Sequence, residues 1–344
     1  MFDVVVDFAA PIGPVRARGT LATPGMGTPV TVTYNPHQPT DAEFALNPVV
    51  KPVWAPGTQH KKNDMFGLFG KRSGKAVQST RPEPTYEMSD SPVIGYVLLR
   101  EMVSREQIIA ALNEHIDDED TLEWDEGATD SDTVGCTING LWVAISSTDA
   151  PFPDGEAQGA LHPVFGRDDY EAIDQHRAFL IVAGMPVLSA SHSDNQAPLS
   201  HLDAVAFQMQ AVRALLHLPE AVGYYSGDVS TTYGKGPYLA ITDSEEPLLS
   251  GFMAPVWVSS RRDGAWDAYS IGLTKWGIPD VQVVGSKREP SELFEYLTDI
   301  VRYLLGGARI RAGETLGRDE HEKITTSWQP SIIDEEETAL QLEM

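Results

Sequence analysis

Nine histidines and fifty carboxylates are the residues of this 344-residue chain best suited to bind metal or move protons, and either task depends on their spacing. No His-Glu-x-x-His string occurs, and His176, His192, His201 and His217 stand at irregular intervals. His201 and His217 fall at opposite ends of one expected helix, whereas side chains that share a ligand across one turn lie about 6 Å apart. The single cysteine, Cys136, excludes an internal disulfide and a multi-cysteine zinc site, and reads as an apolar filler near a strand. No metal and no cofactor is expected. In Gly223-Tyr224-Tyr225-Ser226-Gly227 the serine stands one position late for a nucleophile elbow, beside two bulky tyrosines. Gly234-Lys235-Gly236-Pro237 lacks the longer glycine frame of a phosphate loop, and Pro237 removes an amide, so it reads as a turn. Asp168-Asp169 and Glu245-Glu246 are adjacent, and adjacent carboxylates do not face each other for acid–base work. Asp168-Asp169 suits the start of a helix over Tyr170–His176, and Glu335-Glu336-Glu337 suits a solvated turn.

Aromatic side chains remain: Tyr224, Tyr225, Tyr233, Tyr238, Trp257, Trp266, Tyr269 and Trp276 cluster near expected loops. Such residues fill cores and also anchor partners, because they bury a large area behind a polar tip. Tyr225, two residues from Gly223 and Gly227, and Trp276, beside Gly277, stand at expected strand ends, where binding residues concentrate, and are the candidate anchors.

The elements that must carry these residues are legible from Val93 onward. Val93–Leu99 is an apolar run of strand length, and Ser104-Arg105-Glu106-Gln107 is a capping box ahead of Ile108, Leu112 and Ile116 on one helical face. Val134–Ile138 and Leu141–Ser147 flank Asn139-Gly140, a strong hairpin signal. Ala178–Gly184 reads as a buried strand. Ser200 then caps a helix striped by Leu202, Val205, Met209, Val212 and Leu216, and a strand over Ala221–Tyr225 follows it. Phe252–Ser260 and Trp266–Thr274 form a second expected hairpin around Asp263-Gly264. A last helix carries Leu293, Leu297, Ile300 and Leu304, and Glu322–Trp328 and Thr338–Leu342 close the sheet. The pattern predicts an α+β fold with a largely antiparallel sheet and about three helices.

Before Val93 the chain changes character. Twelve of the 24 prolines lie in residues 1–92. Asp3–Phe8, Pro29–Tyr34 and Val49–Trp54 read as short strands. The string from Pro24-Gly25 to Pro39 resembles part of a small bacterial β module, which places that module at 1–56. Mixed Gly, Ser, Pro and charge make 57–92 a flexible linker, whose apolar centre Met65-Phe66-Gly67-Leu68-Phe69-Gly70 is expected to tuck against the body as one turn. Residues 1–92 hold nine Lys/Arg against eight Asp/Glu, while 93–344 holds 16 against 42. An acidic body repels phosphate backbones, so no nucleic-acid partner is expected; the excess charge reads first as a device of solubility, and a basic protein partner is the sharper alternative. The N-terminus lacks a basic leader, and no run approaches the ~18 apolar residues of a membrane span. The expected location is the cytoplasm, without stable membrane insertion.

Several strings in 93–344 resemble a bacterial family known only as domain of unknown function 4261. They are Ile138-Asn139-Gly140 with Val143-Ala144-Ile145 and Asp149-Ala150-Pro151-Phe152-Pro153, then His176-Arg177-Ala178-Phe179-Leu180-Ile181-Val182, then Leu218-Pro219-Glu220-Ala221-Val222-Gly223-Tyr224-Tyr225. Ser270-Ile271-Gly272-Leu273, Trp276-Gly277 and Gly313-Glu314-Thr315-Leu316-Gly317 complete them. The resemblance implies an α+β domain and brings no activity with it. Members carry a His-x-Ala-His string where this chain has Phe179 in the second histidine's place, and two alternating glutamates where it has Asp280 and Gln282.

These readings favour a non-enzymatic protein-interaction or regulatory module of the immunity or adaptor type. The alternatives are a hydrolase-like enzyme assembled from scattered residues such as His176, Asp280 and Glu314, and a small-ligand-binding domain.

Overall fold

The computed structural model describes residues 78–344 apart from 90, 118–119, 126–132, 167–168, 187–198, 245–248 and 319–321, together with the backbone of four strands nearer the N-terminus. Those four are β1 (Phe2–Ala10), β2 (Gly13–Leu21), β3 (Val30–Asn35) and β4 (Gln38–Leu46). β1 pairs antiparallel with β2, and β3 with β4. The expected strands at 3–8 and 29–34 thus fall in β1 and β3, while the one at 49–54 and the 65–70 turn lie outside the described residues.

Two sheets form the rest. The first contains β5 (Val93–Leu99), β6 (Leu122–Trp124), β7 (Thr133–Ile138), β8 (Leu141–Thr148), β9 (Ala178–Pro186), β10 (Ala221–Ser226) and β11 (Thr231–Gly234). Its order is β11-β10-β5-β9-β8-β7-β6, with every neighbouring pair antiparallel. The β7–β8 hairpin turns at Asn139 and Gly140, which have φ of 49° and 86°. Two consecutive left-handed residues make the turn whose twist matches its strands, which is why Asn-Gly stands there. The second sheet contains β12 (Val256–Ser260), β13 (Trp266–Ser270), β14 (Val281–Ser286), β15 (Thr315–Leu316), β16 (Ile324–Pro330) and β17 (Thr338–Glu343). Its order is β12-β13-β14-β17-β16-β15, and the β14–β17 pair is its one parallel joint. The fold is α+β with large antiparallel sheets.

The three long helices are the three that the sequence predicts: α1 (Arg105–His115), α4 (His201–Leu216) and α7 (Pro290–Leu305). The Ser104 hydroxyl accepts the Gln107 amide at 3.3 Å while the Gln107 side chain accepts the Ser104 amide at 2.8 Å, completing the capping box. Four shorter helices join them: α2 (Glu156–Gly159), α3 (Tyr170–Asp174), α5 (Lys235–Thr242) and α6 (Ser250–Met253). The Gly234–Pro237 string is therefore the start of α5 rather than a turn. Gly234 is the N-cap, and Pro237 falls in the first turn, where a helix has no use for its missing amide. Phe252 and Met253, expected to open a strand, instead end α6, and 273–275 form a 3₁₀ turn after β13.

Burial follows from these layers. Val93, Val97 and Leu99 of β5 face α4, which is buried on most of its circumference because α1 and α5 cover it opposite the sheet. Leu98, Phe179, Val222 and Tyr225 point to the other face and pack beneath Phe152, Ala157 and Ile173. The main core runs on without a break into the second sheet through Phe252, Met253 and Trp276 to Leu293, Leu297 and Ile300 of α7. Cys136 is buried in β7, where burial pushes its thiol up to about 12, as suits an apolar filler. No described helix is long and apolar enough to cross a membrane.

The C-terminal end of the expected linker lies against this body. Thr80 and Arg81 donate their amides to Trp328 O at 3.0 and 3.3 Å, and Ser89 donates to Lys275 O at 2.9 Å. The Tyr86 hydroxyl sits 2.8 Å from Glu337 Oε2 and 3.0 Å from Thr338 O, and Met88 bridges to Trp276. Residues 78–89 are a strap along the second sheet.

Candidate functional site

Of the candidate residues from the sequence, Tyr225, His176 and Trp276 are buried in the fold, and Asp280 and Glu314 accept hydrogen bonds from residues nearby in the chain. Tyr225, in β10, is 3% exposed, and its ring packs with Tyr96 and Phe152 at 5.8 and 4.9 Å. Its hydroxyl donates to the Glu156 carboxylate, and burial, followed by that hydrogen bond, pushes it up to about 12. His176 closes the same segment: its Nε2 accepts the Phe152 amide at 2.7 Å, and its Nδ1 donates to Ile173 O at 2.5 Å. Those two bonds place the ring proton on Nδ1 and leave neither nitrogen for a ligand. Tyr225 and His176 thus meet at Phe152.

Trp276 is 6% exposed on the opposite face of the core, its ring 5.0 Å from that of His201. Its indole N–H finds no acceptor among the described residues. Asp280, before β14, accepts the Ser270 hydroxyl at 2.7 Å and the Leu273 and Gly272 amides at 3.1 and 3.3 Å. It holds the turn that carries Trp276, and burial nonetheless pushes its carboxyl up to about 6. Glu314 accepts the Arg311 amide at 3.0 Å within its own loop. His176, Asp280 and Glu314 therefore bond within three separate neighbourhoods, and the described residues provide no hydrogen bond linking them. Tyr225 and Trp276 are core residues of this fold.

The buried His162 follows the same rule. Its Nδ1 accepts the Val164 and Phe165 amides and its Nε2 donates to Val256 O at 2.9 Å, while burial lowers its pKa to about 4. Among the described residues no group of three or more His, Cys, Asp or Glu could hold a metal ion.

Two surface features stand apart from this internal bonding. The first is the β16–β17 loop. Ile332 and Ile333 are 39% and 52% exposed and lead directly into exposed Asp334, Glu335, Glu336 and Glu337. The loop is held from beneath by Gln282 of β14, whose Nε2 donates to Pro330 O at 2.9 Å while its Oε1 accepts the Ile332 amide at 2.9 Å. Within the loop, Ser331 N–H reaches Glu337 O at 3.0 Å, Glu336 N–H reaches Asp334 Oδ1 at 2.9 Å, and Glu337 N–H reaches Asp334 O at 3.0 Å. The strap adds Arg81 to Glu335 O at 2.8 Å. Two large apolar side chains are thus presented on a braced turn that runs on into four carboxylates.

The second feature is an open cleft of about 650 Å³ at the end of the first sheet where β5 finishes and β9 begins. Arg100, Glu101, Asp174, Gln175, His176 and Arg177 line it.

The sequence marks Glu335–Glu337 as a solvated turn, which the exposure of these residues bears out, but passes over Ile332 and Ile333. A signal was present: two β-branched apolar residues abut a run of four acids, outside any strand or helix period. Gln282 stood out only as a departure from the resembled family, and its position beneath the loop needed the β14–β17 pairing.

Residues 269–343 match the family model described as Domain of unknown function (DUF4261). The match runs from the end of β13 through β17, and so contains Asp280, Gln282 and the whole β16–β17 loop. No curated protein and no solved structure matches the chain.

Proposed function

We propose that this chain is a non-enzymatic, cytoplasmic interaction module whose β16–β17 loop docks on a basic protein. The observation that carries the reading is the loop itself, with Ile332 and Ile333 exposed beside four acidic side chains on a turn clamped by Gln282. Charges steer encounter and buried apolar anchors slow dissociation, and this loop supplies both within six consecutive residues. Bracing matters because an ordered loop loses less conformational entropy on binding than a free one. The excess of 42 acids over 16 bases in residues 93–344 adds a long-range field of the same sign. The internal bonding of His176, His162 and Asp280 supports the non-catalytic part, since each spends its polar atoms on the backbone or a neighbouring hydroxyl.

Cross-linked capture from the native cytoplasm, followed by titration of the purified partner, tests this reading. Replacing Ile332 and Ile333 together by serine is expected to raise the dissociation rate at least about tenfold, because each isoleucine is worth about 1.5–3 kcal/mol when fully buried. Glu335→Gln with Glu336→Gln is expected to slow association and flatten its salt dependence, given a Debye length of about 8 Å at physiological ionic strength. A basic partner that binds both variants like the parent would remove the loop from the interface. An acidic partner indifferent to salt would remove the electrostatic basis.

A further inference from the structure

The cleft at the β5–β9 end of the first sheet is lined by both signs of charge. Its walls are Pro151 and Ala172, and the segments carrying them are tied together by His176, which binds Phe152 N and Ile173 O at once. The strand ends are fixed as well: Arg177 donates its amide to Leu99 O at 2.9 Å, and Arg100 donates its amide to Glu220 O at 2.9 Å. The backbone positions of both arginines are therefore set by the sheet.

Among the described residues, neither the Arg100 nor the Arg177 guanidinium forms an ion pair, although acids outnumber bases so heavily in this body. Arg213, Arg261, Arg288, Arg302 and Arg318 all pair with carboxylates. Glu101 and Asp174 line the same cleft as the two arginines, so it presents two cations and two anions. A polyanion would be repelled by the carboxylates and a polycation by the guanidiniums. A ligand carrying one charge of each sign satisfies both, and guanidinium groups suit carboxylate geometry. The volume lies within the roughly 300–1,000 Å³ usual for small-molecule sites.

We propose that this cleft binds a free amino acid, its carboxylate on Arg100 and Arg177 and its ammonium on Glu101 and Asp174. His176 is a positioning residue there, holding the wall without touching the ligand.

The test titrates the full-length protein by calorimetry with each of the twenty common amino acids, and then with the N-acetyl derivative and the methyl ester of any that bind. At least one amino acid is expected to bind at a single saturable site, with both blocked forms failing. Arg100→Ala and Arg177→Ala, both at exposed positions, are each expected to weaken binding about tenfold with circular dichroism unchanged. The inference is overturned if no amino acid binds, if binding survives both arginine replacements, or if a blocked form binds as well as the free amino acid. Ile332→Ser with Ile333→Ser is expected to leave this binding intact, which separates the cleft from the loop interface.

Discussion

Replacing Asp280 by asparagine sets burial against hydrogen bonding at one carboxyl group. Burial under the 272–277 turn raises its pKa, the Ser270 hydroxyl and the Leu273 and Gly272 amides lower it, and the nearby Glu337 charge raises it a little more. Burial wins, so the carboxyl titrates at about 6 rather than at the ordinary 3.8. A folded-state pKa above the unfolded one means that the native protein holds the proton more tightly. The associated stability is complete below about pH 4 and is lost as pH rises through about 6. With one pKa unit worth about 1.36 kcal/mol, the loss is about 2–3 kcal/mol. Asparagine does not ionise, and its oxygen can still accept from Leu273, so the variant lacks that dependence. Urea unfolding of both proteins from about pH 4 to about pH 8 gives the difference curve, in which the remaining carboxylates cancel. The variant is expected to gain about 2–3 kcal/mol on the parent over that range, whatever its offset at low pH. A flat difference, or a parent that gains instead, would refute the claim that burial outweighs three donors.

Two further expectations concern packing. Gly95 of β5 lies against the Tyr224 ring, and a methyl group there would meet the hydroxyl, Cε2 and Cζ of that buried side chain. Gly95→Ala is therefore expected to cost about 1–3 kcal/mol in urea unfolding, partly recovered by adding Tyr224→Leu; an unchanged midpoint would mean that the ring can move aside. The strap makes a chain beginning at residue 78 more stable than one beginning at Val93, because the second loses the Thr80, Arg81, Tyr86 and Ser89 bonds to the second sheet. Thermal unfolding of the two fragments checks this, and equal midpoints would show that the strap contributes nothing.

The elements that the sequence predicted well are those encoded locally. The Ser104 and Ser200 caps, the Asn139-Gly140 turn and the stripe of α7 each need only a few neighbouring residues to specify them. α5 was hidden because Pro237 reads as a breaker unless the helix start is known, and α2 and α6 are too short to show a period. The site was less legible for a different reason. Exposure of Ile332 depends on what packs over a loop, and the bracing by Gln282 depends on a parallel pairing between residues 59 apart along the chain, Gln282 beside Gln341. Tyr225 and Trp276, candidate surface anchors by sequence, are buried: a nearby glycine marks a break in an element without saying which side of it is covered.

The order in which the strands lie has a bearing on how the chain reaches this state. β5 is the first strand of its sheet in sequence yet sits in its interior, between β9 and β10. It remains unpaired on both edges until residues 178–226 are available. In the second sheet the inner joint is made by β17, so that β14 has no inner neighbour until residues 338–343 have arrived. Neither sheet can therefore grow outward from a local hairpin alone: β7–β8 and β12–β13 form early, and the long-range partners must then find them. Contacts of such large sequence separation make folding slow and leave strand edges exposed while it proceeds. During synthesis the half-made protein would offer an unpaired Val93–Leu99 edge for as long as translation needs to deliver the strands that cover it.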